Sequence, residues 1–273
     1  MYRGYHPCPL CYHYWHGVYG SGNINSCYFD YYGQSEQIDI TENEQLTRID
    51  SVGGSDIYKL KNAILFKADM DIDADGAPNA YHPKNDDLAL DRRIHGEGTF
   101  ARDRSGRLCI QEQNGLAPGF LVSPTSLYDA VNPNPCDPRR YTNAVLTPYY
   151  VLPPNYKNWG VKVGDMGVVI NTKNRLMSYA IFADIGPSKK IGEGSIALAQ
   201  LLGVNPNPKT GGDNSPSFVY IVFPQSGKGQ GRLRSNEEIY FESQRLFENW
   251  GGINQVNRIQ KSLKTAKPWP EKY

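Results

Sequence analysis

Apolar residues in this chain gather in short runs broken by glycine and proline, and that spacing limits the possible folds more than any single motif. Ala63-Ile64-Leu65-Phe66, Gly119 to Val122, Tyr149 to Leu152, Val161 to Ile170, Leu176 to Ala183 and Phe218 to Phe223 each read as a strand or as a stretch containing one. Ser105-Gly106, between Gly98 to Arg104 and Arg107 to Gln111, reads as a hairpin turn, and so does Asn171 to Asn174. The stretch 131–139 is a proline-rich loop. Helices are few. Ser195 to Leu202 carries apolar Ile196, Leu198, Ala199, Leu201 and Leu202 and ends at Gly203, a C-cap residue. Ser235-Asn236-Glu237-Glu238 fits a capping box ahead of Ile239, Tyr240, Phe241, Leu246 and Phe247. Many short strands with few helices point to a closed β-barrel or a sandwich.

The turn-rich composition, 27 glycines and 19 prolines in 273 residues, agrees with that class. The glycines do not recur at every third position, so collagen is excluded. No apolar run approaches about 18 residues, which excludes a helical membrane protein. Basic and acidic residues nearly balance, 29 against 28, for a net charge of +1. The chain as a whole therefore exerts no pull on nucleic acid or an anionic membrane, and neither is expected as a partner. A charged partner has to be met by a local cluster.

Two segments are predicted, an irregular lobe over 1–60 and a catalytic barrel over 61–273. Eight of the 19 tyrosines fall in the first 32 residues, with His6, Cys8, Cys11, His13, His16 and Cys27. Cys8-x-x-Cys11 could form half of a zinc site, the three cysteines could hold one disulfide, or they could pack as free thiols. Tyr12, Tyr14, Trp15, Tyr19 and Tyr28 could stack on sugar rings or pack the lobe. Residues 41–60 are polar and suit a short helix or a linker. The first residues contain no apolar signal-peptide core, so the chain is expected to be either a mature form or a protein released by another route.

Two acidic features carry chemistry. The first is Lys67-Ala-Asp69-Met-Asp71-Ile-Asp73-Ala-Asp75-Gly76, which directly follows a strand, with Asp86, Asp87 and Asp91 further on. Asp71 to Gly76 matches the start of an EF-hand loop, but the twelfth position is His82 rather than Glu. A solvated acidic turn is a second reading. The third is a cation-binding row: alternate residues on a strand share one face, so Asp69, Asp71 and Asp73 would present a line of negative charge.

The second feature is Ala183-Asp184-Ile185-Gly186-Pro187-Ser188-Lys189-Lys190-Ile191-Gly192-Glu193-Gly194-Ser195. Asp184 stands where a strand ends, and Glu193 stands just ahead of a helix between two glycines, which would leave it uncrowded and let a bulky ligand approach the backbone. Two carboxylates on one loop can converge on a cleft, which glycoside hydrolysis requires: one protonates the leaving oxygen and one activates water. Alternatively Asp184 caps a turn and Glu193 complements the helix dipole.

Together these motifs resemble the glycoside hydrolase family 75 chitosanases. KADMDIDADGAPNAYHP, VKVGDMGVVI, DIGPSKKIGEGSIALAQLLG and FVYIVFPQSG occur in the family's order, between about Asn62 and Gly227. The resemblance implies an endo-acting, inverting hydrolase of β-1,4-linked glucosamine that needs no cofactor or metal. It maps the catalytic pair onto Asp184 and Glu193 and places the acidic motif beside the cleft, with Asp69, Asp71, Asp73 and Asp75 as substrate-binding residues. The implied partner is chitosan, a polycation that an acidic groove would hold, and the implied state is an extracellular monomer. The FADIGP strand followed by a short helix also resembles double-psi β-barrel proteins such as expansins, family 45 endoglucanases and rare-lipoprotein-A lytic transglycosylases. The expected fold is therefore a mainly β, double-psi-like barrel with a few short helices. A non-catalytic expansin-like protein, a peptidoglycan-active hydrolase and a calcium-dependent structural protein are the alternatives. Glutamate's higher intrinsic pKa favours Glu193 as the acid and Asp184 as the base, whereas the barrel analogy favours the reverse.

Overall fold

A computed structural model describes residues 46–93 and 100–260. The cysteine- and tyrosine-rich stretch, with its zinc, disulfide and stacking readings, lies outside the described residues. So do Gly98 and Thr99.

Six strands close into a barrel. They are β3 (Ala63–Asp73), β4 (Tyr149–Leu152), β5 (Met166–Asn171), β6 (Met177–Ile185), β7 (Glu193–Ser195) and β8 (Asp213–Val222). Their order around the barrel is β3-β7-β4-β6-β5-β8, and β8 pairs back onto β3. Two pairings, β3–β7 and β4–β6, are parallel, and the rest are antiparallel. A mainly β, double-psi-like barrel with a few short helices is thus the observed architecture.

Both faces of the strands are covered, which is why AILF, GVVI and FVYIVF are continuously apolar rather than alternating. Ile64, Phe66 and Ala68 of β3 join Phe218, Tyr220 and Val222 of β8 and Val169 of β5 in the barrel interior. Phe66 and Tyr220 stack there with ring centroids 4.7 Å apart. The intervening residues Leu65, Val168, Ile170, Val219 and Ile221 face outward, onto Phe247, Trp250, Val256 and Ile259 of two helices. These are α2 (Asn236–Trp250) and α3 (Gly252–Ile259). The capping box forms: Ser235 Oγ accepts from Glu238 N at 3.2 Å, and Glu238 Oε2 accepts from Ser235 N at 3.0 Å. The Trp250 indole N–H, fully buried, donates to the Leu60 carbonyl at 3.2 Å. The remaining helix, α1 (Ile196–Leu201), follows β7 directly, capped by Ser195.

Several local assignments differ from the sequence reading. Residues 47–60 form a hairpin, β1 (Thr47–Val52) and β2 (Ser55–Leu60), which extends the sheet from β3. Its two-residue turn is Gly53-Gly54, both at positive φ (58° and 85°), the geometry that such a turn demands. The stretch 161–165 is a turn rather than strand. Asp165, 1% exposed, organises it by accepting from the backbone N–H groups of Lys162, Gln225 and Gly227.

The long connection from β3 to β4 has little regular structure. Arg102 bridges Leu108 across the expected turn, and Leu121 of the expected strand at 119–122 bridges Ile110, but each only as an isolated pair. A disulfide, Cys109–Cys136, fastens this connection to itself beside a small cluster of Ala101, Val122 and Tyr141. The pairing had no local signature. Leu127 N donates to the Ala183 carbonyl at 2.8 Å, pinning the connection to β6.

Replacing Cys109 and Cys136 together by Ser should lower unfolding free energy by about 2–4 kcal/mol, the usual contribution of a cross-link spanning a loop of this size. Denaturant titration of both forms measures it, and an unchanged midpoint would show that packing alone holds the connection.

Candidate active site

Strand register builds the site. Asp71 of β3 stands directly opposite Glu193 of β7, Glu193 stands opposite Val151 of β4, and Val151 stands opposite Asp184 of β6. Residues opposite one another project from the same face of a sheet, so the three acids and Val151 form one row. Glu193 and Asp184 are two strand spacings apart at the backbone, roughly 9.5 Å, with Val151 between them.

A β-bulge aims Asp184 into this row. Tyr150 pairs with Phe182, and the next pair is Val151 with Asp184, so Ala183 is skipped. Without the extra residue Ala183 would oppose Val151, and Asp184 would turn towards the interior face that carries stacked Tyr150 and Phe182. The two acids therefore lie on strands that flank β4, Asp184 in β6 and Glu193 in β7, rather than together on one loop.

Two glycines shape the surroundings of Glu193 for packing reasons. Gly192 has φ 101°, and a Cβ there would land on Asp69 Oδ1 and Ala68 Cβ. A Cβ on Gly186 would come within 3.0 Å of Val151 Cγ1 and 3.2 Å of Glu193 Oε2. The expected role of the flanking glycines, open access for a ligand, is replaced at Gly192 by close contact with the acidic strand.

β3 runs through the acidic motif, so Asp69, Asp71 and Asp73 do share one face, but their environments diverge. Asp69 lies at the edge, and burial followed by the nearby Asp71 raises its pKa. Asp71 is ion-paired with Lys190, Oδ2 to Nζ, at 2.5 Å. Asp73 is 6% exposed and accepts from Asp75 N at 2.7 Å. Asp75, just past the strand, accepts from Ser123 Oγ at 2.5 Å. Carboxylate oxygens of Asp73, Asp75 and Asp184 all lie within 4.8 Å of one another. These are the described residues whose oxygens could gather on a cation, and shared protons relieve the same repulsion. The EF-hand reading fails because the motif is strand, not a loop between helices. Asp86 and Asp87 sit on a separate 3₁₀ turn, residues 86–88.

Crowding sets the protonation of this cluster. Burial, then repulsion from Asp75, Asp184 and Asp71, pushes the Glu193 carboxyl up to about 8, and Lys190 opposes this. Burial and Asp75 push Asp184 up to about 7, against three donors that favour its anion. These are Ser126 N at 2.9 Å, Ser126 Oγ at 2.8 Å and Ile185 N at 2.8 Å, all on Oδ1. Asp73 is raised well above the usual range by burial and by Asp75, Glu193 and Asp184. Burial, then Asp73, Asp184 and Asp75, keep the Tyr149 phenol protonated, and its OH donates to the Asp75 carbonyl at 3.0 Å.

Sequence reasoning missed Ser123, Ser126 and Tyr149. Ser126 lies 58 residues before Asp184, and nothing local connects the two. Lys190 sits inside the most informative stretch of the chain, yet its ion pair with Asp71 appears only when β3 and β7 are laid side by side.

No curated protein matches this chain. The family model described as fungal chitosanase of glycosyl hydrolase group 75 matches residues 70–248, from within β3 to the last turn of α2, and so spans Asp71, Asp73, Asp75, Asp184 and Glu193. The match covers well over half of the chain and the barrel that positions these acids: the protein belongs to the group 75 chitosanase family and is a glycoside hydrolase.

Proposed function

We propose that this chain is an endo-acting chitosanase that cleaves β-1,4 glycosidic bonds with inversion, Glu193 serving as general acid and Asp184 as general base. The observation that carries the reading is the different hydrogen bonding of two acids on one sheet face. Asp184 receives three donors on one oxygen, and such bonds favour the anion that must take a proton from water. For Glu193, burial and three neighbouring carboxylates favour the protonated form that must give a proton to the leaving oxygen.

An inverting enzyme needs about 6.5–9.5 Å between its carboxyl groups, so that a water fits beside the anomeric carbon. Two strand spacings with Val151 as floor support that separation. Water approaches from the Asp184 side while the leaving oxygen faces Glu193. Asp75 keeps both pKa values high and Asp73 sits within the same cluster, whereas Asp69 and Asp71 meet the glucosamine ammonium groups. The Cys109–Cys136 disulfide supports an oxidising, extracellular setting.

Asp184→Asn and Glu193→Gln should each cut hydrolysis of soluble chitosan by about 10²–10⁴-fold. Reducing-end release measures this, and a variant that keeps a tenth of wild-type activity would remove its residue from the mechanism. NMR of the first product should show the inverted anomer.

The pH profile of kcat/KM should rise as Asp184 ionises and fall as Glu193 does, with both limbs displaced well above ordinary carboxylates. Asp75 is the foremost charge acting on each. Asp75→Asn, which keeps an acceptor for Ser123, should therefore move both limbs to lower pH; unmoved limbs would exclude this electrostatic role.

The same crowding has a cost in stability. Glu193 titrates at about 8 in the folded chain and near about 4.3 when unfolded. Between those values the unfolded chain binds fewer protons, so the wild type loses stability as pH rises. Glu193→Gln should melt at a higher temperature than wild type at pH 8, with the gap closing below about pH 4. A gap independent of pH would show that ionisation is not its cause.

A further inference from the structure

Lys190 places a lysine ammonium beside the acidic row of β3 and β7. Its Nζ lies 2.5 Å from Asp71 Oδ2, and the two side chains are 67% and 42% exposed. Asp71 in turn stands opposite Glu193 in the β3–β7 register, and its N–H donates to the Gly192 carbonyl at 2.9 Å. The pair therefore sits at the solvent side of the reacting row, next to the proposed acid.

The backbone beneath Lys190 is braced. Its N–H donates to the Pro187 carbonyl at 3.2 Å. Ile191 is buried with Val52 in the interior cluster. The β1–β2 turn closes over the loop so tightly that a Cβ on Gly53 would stand 3.0 Å from the Lys189 carbonyl. Only the flexible four-carbon stem is left to move, and it ends in a compact primary ammonium. The 2-amino group of a glucosamine unit presents the same ion.

We propose that Lys190 is a specificity-determining residue: in the free protein its ammonium occupies the place at Asp71 that a substrate ammonium takes, and it yields that place when a glucosamine unit binds. This inference rests on the chitosanase reading. The exchange is inexpensive, because a solvent-exposed ion pair is weak and a cation replaces a cation, so Asp71 is not left unpaired at either end of the process. The lysine keeps the cleft from standing open with bare negative charge, and it makes tight binding depend on a group that can displace it. A neutral acetamide cannot do so; an ammonium can. The sign of the effect is unusual for a residue beside a catalytic acid, since removing Lys190 should tighten binding.

The test compares wild type, Lys190→Met, Lys190→Arg, Asp71→Asn and the Asp71→Asn/Lys190→Met double variant at low ionic strength. Each is assayed on a fully deacetylated and a heavily N-acetylated chitosan, with kcat and KM determined separately. Lys190→Met should lower KM on the deacetylated polymer by roughly two- to five-fold, the range set by an exposed pair, and leave KM on the acetylated polymer unchanged. Lys190→Arg, which restores a cation, should return KM to the wild-type value or above it. In the Asp71→Asn background the Lys190→Met change should lose its effect on KM, because the shared carboxylate is gone. An unchanged or higher KM for Lys190→Met on the deacetylated polymer overturns the inference alone, as does an equal fall on both polymers. A wild type that cleaves neither polymer overturns the chitosanase reading and this inference with it.

Discussion

Asp73, Asp75, Asp184 and Glu193 are held too close together for all of them to carry charge, and the rest of the structure depends on that repulsion being withstood. In an isolated peptide the four acids would move apart and titrate near 4. Here three belong to or directly follow strands of a closed sheet, and the fourth lies in a strand fixed by a bulge. Closure leaves no edge along which β3, β7, β4 and β6 could slide apart. Their mutual repulsion therefore appears as displaced pKa values, the form of it that acid–base chemistry uses.

The rigidity behind this comes from parts of the chain with no chemistry of their own. Ser195 is fully buried; its hydroxyl accepts from Tyr149 N at 3.0 Å and Leu198 N at 3.1 Å and donates to the Thr147 carbonyl at 2.8 Å. One side chain thus caps α1 and fastens β7, only three residues long, against the start of β4. α2 and α3 seal the outer face of β3, β5 and β8, and the disulfide secures the long connection that delivers Ser123 and Ser126. Each is an ordinary stabilising device, and together they offset the ionic crowding at the site.

The strands were legible because burial on both faces leaves a strong mark, an unbroken run such as FVYIVF. The β1–β2 hairpin was less so, since TRIDSV and SDIYKL are polar on the exposed side; Gly53-Gly54 was its one clear signal. The proposed catalytic pair rests on residue type, spacing and family likeness, but the geometry relating the two acids could not be read from them. It depends on the β6 bulge, and nothing in SYAIFADIGP announces that Ala183 rather than Phe182 is the extra residue. Ser126 shows the same limit. Its bond to Asp184 exists because the connection is pinned at Leu127 to Ala183, a contact formed only in the folded chain. The glycines around Glu193 were visible as glycines, yet their reason was misjudged: at Gly192 the neighbour that excludes a side chain is Asp69, not a ligand.

The family match begins at Met70, but the proposed site is braced from outside that span. Asp50 of β1 accepts from the Trp159 indole at 2.8 Å, and this anchors the hairpin beside the segment that leads into β5. From there Val52 packs with Ile191 and Gly53 lies against the Lys189 carbonyl. The loop carrying Lys190 is consequently held at both of its ends, by β6 behind Gly186 and by β7 ahead of Gly192, and from above by the hairpin. A loop so fixed can present a mobile ammonium without moving its backbone, and it can carry Glu193 at a constant distance from Val151 while that ammonium comes and goes. The acidic row and the hairpin thus act as one unit: the row supplies the charge, and the hairpin keeps the cation that opposes the rise in Glu193's pKa on a stem rather than on a hinge.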